Sequence, residues 1–177
     1  MSSHERSVRW RDPREAIAAA IAGRLSGLDF LAGMMRGEVP YPPLGVLLGF
    51  EIDVVEPGRV VFGLQPGEHH YNPNGVVHGG VAAALLDTVT GCAVTTLLPY
   101  GTTCATLELK VNYIRSLSAS SPRLTCEGTV IHLGKRSAVA EGKLLLPGGK
   151  LAAHATSTLM IFPPEEVHTG DRSGSQG

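Results

Sequence analysis

A single carboxylate, that of Asp87, lies in a long apolar stretch of this chain. Over residues 81–98 the other side chains are apolar, small or hydroxylic, so Asp87 is the only ionisable group there. Burying an unpaired carboxylate is costly, and an acid kept in such surroundings is a candidate nucleophile or general base. The alternative is a structural aspartate that accepts hydrogen bonds from nearby hydroxyl groups, such as those of Thr88, Thr90 or Thr103.

A histidine and two glycines, His78-Gly79-Gly80, lie directly before this stretch. We predict that residues 81–98 form a helix, which puts the two glycines at its N-terminus. The first N–H groups of a helix lack partners and carry partial positive charge, and glycine lets a carbonyl oxygen approach them closely. The glycines could instead serve only to allow a tight turn into the helix. His78 could orient a substrate or cap the turn.

The spacing between these two groups has a consequence for the assembly. Asp87 follows Gly80 by seven residues, which in a helix separates them by roughly 10 Å along the axis. The two groups of one chain therefore cannot act on the same carbonyl group. If both take part in the reaction, the carboxylate comes from a second copy, so the sequence predicts a site between two subunits and an inactive monomer.

Alternating apolar residues predict strands around this helix. Residues 48–65 suggest a hairpin with a turn at Glu56-Pro57-Gly58, and residues 102–115 alternate with Thr106 and Leu109 on opposite faces. Three further strand-like runs follow, at residues 123–134, 137–146 and 150–162. A helix that is apolar on nearly every side must be buried by other elements, and the predicted strands can bury it as a curved antiparallel sheet. The predicted fold class is therefore α+β.

The rest of the chain divides into segments by composition. Residues 1–12 and 164–177 are polar or rich in glycine and serine, and both are predicted to be flexible tails. Residues 13–38 are predicted to form one or two helices, with Asp12 as N-cap and Gly37 as the stop. Residues 39–163 form the predicted main domain, with Pro40, Pro42 and Pro43 separating it from the helical segment. That segment is expected to cover a sheet edge or, as a weaker hypothesis, to shape a substrate pocket.

Composition excludes several classes of function. The 177 residues carry a net charge of -1 with 5% aromatic residues, so neither a nucleic-acid footprint nor a base-stacking surface is predicted. No apolar run has the length of a membrane span, and three widely spaced cysteines, Cys92, Cys104 and Cys126, suit a reducing compartment. We expect a cytoplasmic protein of one domain. The spacing of His69, His70 and His78 matches no metal-binding pattern, so no metal site is predicted.

Several motifs together resemble the phenylacetic-acid-pathway (PaaI-like) branch of the hotdog-fold acyl-CoA thioesterases. The resemblance runs from about residue 45 to residue 162. Its motifs are residues 72–80 (NPNGVVHGG), Asp87, the strand over 106–115, and Gly134-Lys135-Arg136. The resemblance implies a hotdog fold, in which an antiparallel sheet wraps one long helix, and hydrolysis of an acyl-CoA thioester.

The resemblance also implies roles for individual residues. Gly80, assisted by Gly79, would polarise the thioester carbonyl, and Asp87 of the facing subunit would act as nucleophile or general base. The other implied roles are positioning of water by Asn72 and Thr106, positioning of substrate by His78, and binding of coenzyme A phosphates by Lys135 and Arg136. Relatives often carry proline after the strand arginine, whereas here Ser116 follows Arg115.

The resemblance implies an acyl-CoA substrate, no cofactor, and a homodimer as the minimal active unit, in a dimer of dimers (homotetramer). Neither the acyl group nor the choice between nucleophile and general base follows from the sequence. Two rival functions stay open: a hotdog hydratase or dehydratase, for which no companion acid–base motif is present, and a non-catalytic acyl-CoA-binding module.

Overall fold

The computed structural model describes residues 5–164, and within them the chain forms four α-helices and six β-strands. The helices are α1 (Pro13–Gly23), α2 (Gly27–Met35), α3 (Pro43–Leu48) and α4 (Gly79–Thr95). The strands are β1 (Phe50–Glu56), β2 (Arg59–Leu64), β3 (Thr103–Tyr113), β4 (Leu124–Leu133), β5 (Ser137–Leu146) and β6 (Lys150–Phe162).

All six strands form one antiparallel sheet in the order β1-β2-β4-β5-β6-β3. The predicted hairpin is present, with Glu56 paired to Arg59 across its turn. α4 packs on one face of the sheet and contacts β2, β3, β4, β5 and β6. The predicted α+β hotdog architecture is thus confirmed, including the extra N-terminal helical segment.

The central helix α4 lies very close to the sheet. Leu85, Leu86 and Val89 are fully buried in the core between them. Gly128 of β4 makes this approach possible, because a Cβ atom there would lie 2.2 Å from the carbonyl oxygen of Val89. α4 begins two residues earlier and ends three residues earlier than predicted.

The N-terminal segment forms two helices with the predicted ends. Asp12 caps α1 by accepting a 2.9 Å hydrogen bond from the Arg14 N–H. The chain then breaks at Arg24, whose φ is 47°, and α2 restarts after the side-chain cap of Ser26. α2 ends just before Gly37, which adopts a φ of 76°.

The prolines that we predicted to be a separator in fact begin a helix. Pro42 is the N-cap of α3 and Pro43 its first residue, and Gly49 ends it with a φ of 74°. Proline is favoured in a first helical turn because its missing N–H would lack an acceptor there, and glycine is favoured after a helix end because it adopts positive φ. This proline and glycine pattern was visible in the sequence.

β3 does not keep the alternation predicted for it. A register shift in its pairing with β6 falls between Thr106 and Glu108. Before the shift, Thr106 bonds to Asp87 of α4, and after it Leu109 and Val111 pack against the core around α4. The prediction that Thr106 and Leu109 lie on opposite faces is therefore wrong, since one extra residue in a strand moves later side chains to the other face.

The predicted flexible tails fall mostly beyond these elements. Only residues 5–12 of the first and Pro164 of the second are among the described residues. None of the described helices is both long enough and apolar enough to span a membrane.

Candidate active site

His78 caps the N-terminus of α4 with its side chain. The imidazole Nδ1 accepts a 2.8 Å hydrogen bond from the Gly80 N–H, and both residues are exposed. Because Nδ1 accepts this bond, a neutral ring carries its proton on Nε2. The Gly80 N–H, which was predicted to polarise a carbonyl group, therefore donates its hydrogen bond to the His78 imidazole in this structure.

Tyr113, the last residue of β3, lies against this helix end. Its hydroxyl donates a 3.1 Å hydrogen bond to the Gly79 carbonyl oxygen. A Cβ atom on residue 79 would come within 3.2 Å of the tyrosine ring, so glycine there allows the ring to approach. Tyr113 was not among the predicted site residues.

A cavity of about 290 Å³ opens at this end of α4. It is bordered by the helix start, by the end of β3 and the residues after it, and by two small residues of β6. Its lining residues are Val77, His78, Gly79, Ala82, Tyr113, Ile114, Arg115, Ser116, Leu117, Ala152 and Ala153. This cavity therefore contains the histidine and one of the two glycines of the motif.

Asp87 lies half-buried in the middle of α4 and is held by a hydroxyl group of β3. The Thr106 hydroxyl donates a 2.8 Å hydrogen bond to its Oδ1 atom. The hydroxyls of Thr88 and Thr90 instead donate to helix carbonyl groups, a common arrangement for threonine inside a helix. The structure thus joins two predicted site residues, Asp87 and Thr106, which are 19 positions apart in the sequence.

A second cavity, of about 320 Å³, lies beside this carboxylate. Its walls come from α3 and the residue before it, from one face of α4, and from strands β1, β2, β3 and β6. The lining residues are Pro42, Leu44, Gly45, Phe50, Phe62, Asp87, Thr88, Gly91, Cys92, Thr95, Cys104, Thr106 and Leu159. Among these described residues Asp87 alone carries a charge, so the cavity is an apolar space with one carboxylate on its wall.

The two cysteines in this cavity do not compete with Asp87 as nucleophiles. Burial raises the pKa of Cys92 to about 12, and burial also raises the pKa of Cys104. Both thiols are therefore protonated near neutral pH, whereas the nucleophilic form of cysteine is the thiolate. The group on this wall that can attack a carbonyl carbon or activate a water is thus the Asp87 carboxylate.

The two cavities are separate within one chain. No described residue lines both of them. Gly80 and Asp87 are both in α4, so the seven-residue spacing holds them roughly 10 Å apart along its axis. The structure therefore does not bring the glycine pair and the carboxylate of one chain together.

Asn72 lies in a turn and borders neither cavity. Its Oδ1 accepts a 2.9 Å hydrogen bond from the Asn74 N–H, and its own N–H donates to the Val76 carbonyl oxygen at 2.8 Å. These bonds close the loop that precedes His78, a local role common for asparagine. The structure does not bring Asn72 to Asp87.

Lys135 and Arg136 are exposed in the turn between β4 and β5. Ala138, two residues later, pairs with Leu159 of β6, which in turn pairs with Thr106 of β3. Two strand spacings of about 4.8 Å thus separate Ala138 from Thr106 across the sheet. The basic pair therefore lies at the same end of the sheet as the Asp87 cavity.

His70, eight residues before His78, forms hydrogen bonds to backbone groups of the protein. His70 is buried, with Nδ1 accepting from the Gly67 N–H at 3.1 Å and Nε2 within 2.9 Å of the Leu48 carbonyl oxygen. Burial lowers the pKa of His70. Among residues 5–164, no group of three or more histidine, cysteine or acidic side chains is arranged to hold a metal ion.

Sequence reasoning missed three contributors to these cavities. Leu44 lines the second cavity because the unpredicted helix α3 carries it there, and Tyr113 contacts Gly79 through a pairing of distant segments. Gly91 also lines the second cavity, one turn after Asp87. Gly91 could have been identified from the sequence, because a residue four positions after Asp87 lies on the same helix face.

Comparison with known proteins identifies relatives along most of the chain. Residues 74–153 match the family model of the Thioesterase superfamily. A phenylacetic acid degradation-related protein from Ralstonia eutropha JMP134 is 34% identical, with a TM-score of 0.67 over 73% of this chain and 97% of that chain. A thioesterase from Haemophilus influenzae is 27% identical, with a TM-score of 0.65 over 71% of this chain and 86% of that chain.

A further relative has a named substrate. The 1,4-dihydroxy-2-naphthoyl-CoA hydrolase of Listeria monocytogenes is 29% identical over 114 residues, which are 64% of this chain and 91% of that protein. This chain therefore spans most of the length of all three relatives.

Proposed function

Because this chain belongs to the Thioesterase superfamily, in its PaaI-like hotdog branch, we propose that it hydrolyses an acyl-coenzyme A thioester to the free acid and coenzyme A. The observation that carries the proposal is the Asp87 carboxylate, held by Thr106 on the wall of an otherwise uncharged cavity. The relation to a naphthoyl-CoA hydrolase supports coenzyme A as the thiol.

Two routes are available to the carboxylate. Asp87 can attack the carbonyl carbon and expel the coenzyme A thiolate, leaving an acid anhydride that water then hydrolyses. It can instead take a proton from a water that attacks the same carbon, and the thiolate leaves as a thiol after protonation. Both routes consume one water, and both need only one carboxylate, which Asp87 supplies. The Thr106 bond to Oδ1 would orient the carboxylate in either case.

The oxyanion that forms on the carbonyl oxygen needs donors, which we assign to the N–H of Gly80, assisted by Gly79. The substrate oxygen would replace the His78 imidazole as acceptor of the Gly80 N–H, and His78 would then position the substrate beside the helix end. One such donor contributes about 10² to 10³ in turnover in well-studied hydrolases.

Since the two groups lie roughly 10 Å apart in one chain, we propose that each site combines Gly80 of one subunit with Asp87 of another. The edge strand β3 supports this pairing, because it ends the sheet and presents large apolar side chains to solvent, with Leu107 59% exposed and Tyr113 57% exposed. An exposed edge of 11 residues is suited to pair with a second chain. The minimal active unit is then a homodimer, and we propose that two such dimers assemble into a dimer of dimers.

We assign the remaining predicted residues to binding. Lys135 and Arg136, exposed at the Asp87 end of the sheet, would meet the phosphates of coenzyme A. Asn72 would position the water from the loop that it closes before His78.

The test is release of coenzyme A thiol from a panel of acyl-CoA substrates, measured for the wild-type protein, Asp87→Ala and the isosteric Asp87→Asn. We expect turnover by the wild type and a loss of at least about 100-fold in both variants, since general-base catalysis contributes that much. Absence of turnover on every acyl-CoA, or undiminished turnover in both variants, would refute the proposal.

A further inference from the structure

Gly91 occupies the middle of the helix face that borders the Asp87 cavity. Asp87, Gly91 and Thr95 follow one another at four-residue intervals and all line this cavity. Residues at this spacing lie above one another on one side of a helix. Gly91 therefore lies one turn, about 6 Å, further along α4 than the carboxylate, on the same cavity wall.

Packing within one chain does not explain a glycine at this position. A Cβ atom on Gly91 would meet no described atom within 4 Å outside its own helix backbone. By contrast, a Cβ atom on Gly128 would lie 2.2 Å from a backbone oxygen, and one on Gly142 would lie 3.0 Å from the Leu86 side chain. Gly128 and Gly142 let α4 approach the sheet, whereas Gly91 faces open space.

Helix stability does not explain it either. Glycine inside a helix is less stable than alanine because it loses more backbone freedom on folding. Gly91 lies well within α4, which continues to Thr95. Its effect is instead to leave more space in the cavity near the carboxylate, in a lining that also includes apolar side chains such as Leu44 and Phe62.

We propose that Gly91 determines the size of the acyl group that the site accepts, and that any side chain at this position would exclude the bulkier acyl groups. This inference rests on the proposed thioesterase function. With the carbonyl carbon beside Asp87, a ring attached to it reaches the space over Gly91. The cavity volume of about 320 Å³ is ample for a ring, since an apolar cavity of about 150 Å³ holds benzene.

The cavity chemistry also decides which part of the substrate enters it. Its described lining has no cationic side chain and is largely apolar, so it suits the acyl group rather than the phosphates of coenzyme A. The nearest predicted phosphate ligands, Lys135 and Arg136, are exposed in a turn outside the cavity.

The experiment compares Gly91→Ala and Gly91→Leu with the wild type on acetyl-, hexanoyl-, benzoyl- and phenylacetyl-CoA. For each protein, kcat/KM for the ring-containing substrates is divided by kcat/KM for the smallest substrate that is turned over. We expect this ratio to fall about tenfold in Gly91→Ala and about 100-fold in Gly91→Leu, because one methylene group in an apolar pocket is worth 10-fold or more. The control is Ala18→Leu, an enlargement at an exposed residue of α1 that lines neither cavity.

Thermal unfolding of each variant separates a size effect from misfolding. Gly91→Ala is expected to unfold at or above the melting temperature of the wild type. Its substrate preference can therefore be interpreted even if the leucine variant fails to fold. An unchanged ratio, or an equal loss on all substrates, overturns the role of Gly91 and leaves the thioesterase function intact. A wild type that turns over none of the substrates overturns both.

Discussion

The first turn of α4 and the middle of α4 offer opposite chemistry. The first turn presents backbone N–H groups, capped by His78 and covered by Tyr113, and it borders the cavity of about 290 Å³. The middle presents the Asp87 carboxylate, held by Thr106, beside the cavity of about 320 Å³. One region can stabilise a negative oxygen and the other can attack or activate water, so each supplies what the other lacks.

This difference also explains why the two regions belong to one helix without forming one site. A helix is rigid over seven residues, and no described residue borders both cavities. In the proposed mechanism, the single central helix therefore carries two half-sites per chain. The complete site would then require a symmetric assembly, in which each helix gives its glycine end to one site and its carboxylate to another.

The largest effect is expected from mixing two inactive variants. Asp87→Ala removes the carboxylate, and Gly80→Pro removes the donor N–H in a helical turn that tolerates proline. Each variant alone should lose at least about 100-fold in thiol release. Co-expressed at equal levels, the two should recover about a quarter of wild-type activity, because one site in four then joins an intact glycine end to an intact carboxylate.

The control is a mixture of the two variants, expressed separately and combined under conditions in which subunits do not exchange. Its thiol-release activity is the sum of the two separate activities. Activity of the co-expressed protein no higher than that sum would contradict a shared site. It would mean that the glycine end and the carboxylate do not act on the same substrate.

A smaller effect is expected at the contact that holds the carboxylate. Thr106→Val keeps the shape of the side chain but removes the hydroxyl that donates to Asp87 Oδ1. A hydrogen bond to a charged group is worth about 1.5–3 kcal/mol, so kcat should fall about tenfold or more. Thr106→Ser retains the hydroxyl and should recover most of this loss. Equal kcat in the valine and serine variants would show that the bond does not orient Asp87 for the reaction.

The smallest effect is expected at the capping histidine, and it concerns stability. His78→Ala removes the acceptor of the Gly80 N–H and should lower the free energy of unfolding by about 1 kcal/mol in urea denaturation. His78→Asn, whose side-chain oxygen can cap the helix, should restore it. We expect kcat to change less than threefold in both variants, since capping is a positioning role. A loss of kcat of about 100-fold at unchanged stability would instead show that His78 takes part in the chemical step.

Most of the scaffold was predictable because it follows from local patterns. The apolar run around Asp87 predicts a wrapped helix, and the alternating runs predict the strands that wrap it. The caps at Asp12 and Gly37 follow from local hydrogen bonding and backbone conformation. The helix α3 was readable as well, since Pro43 and Gly49 mark its two ends.

The sequence by itself determined which residues can do chemistry and, through the rise of a helix, that Gly80 and Asp87 of one chain lie too far apart to contact the same carbonyl group. Only the tertiary structure decided which hydroxyl holds the carboxylate, because the bulge in β3 turns Thr106 toward α4 and no alternation in the sequence reveals it. It also decided that α3 and Gly91 line the same cavity. Contacts between distant segments depend on how the sheet and helices pack, which periodicity within one element does not encode.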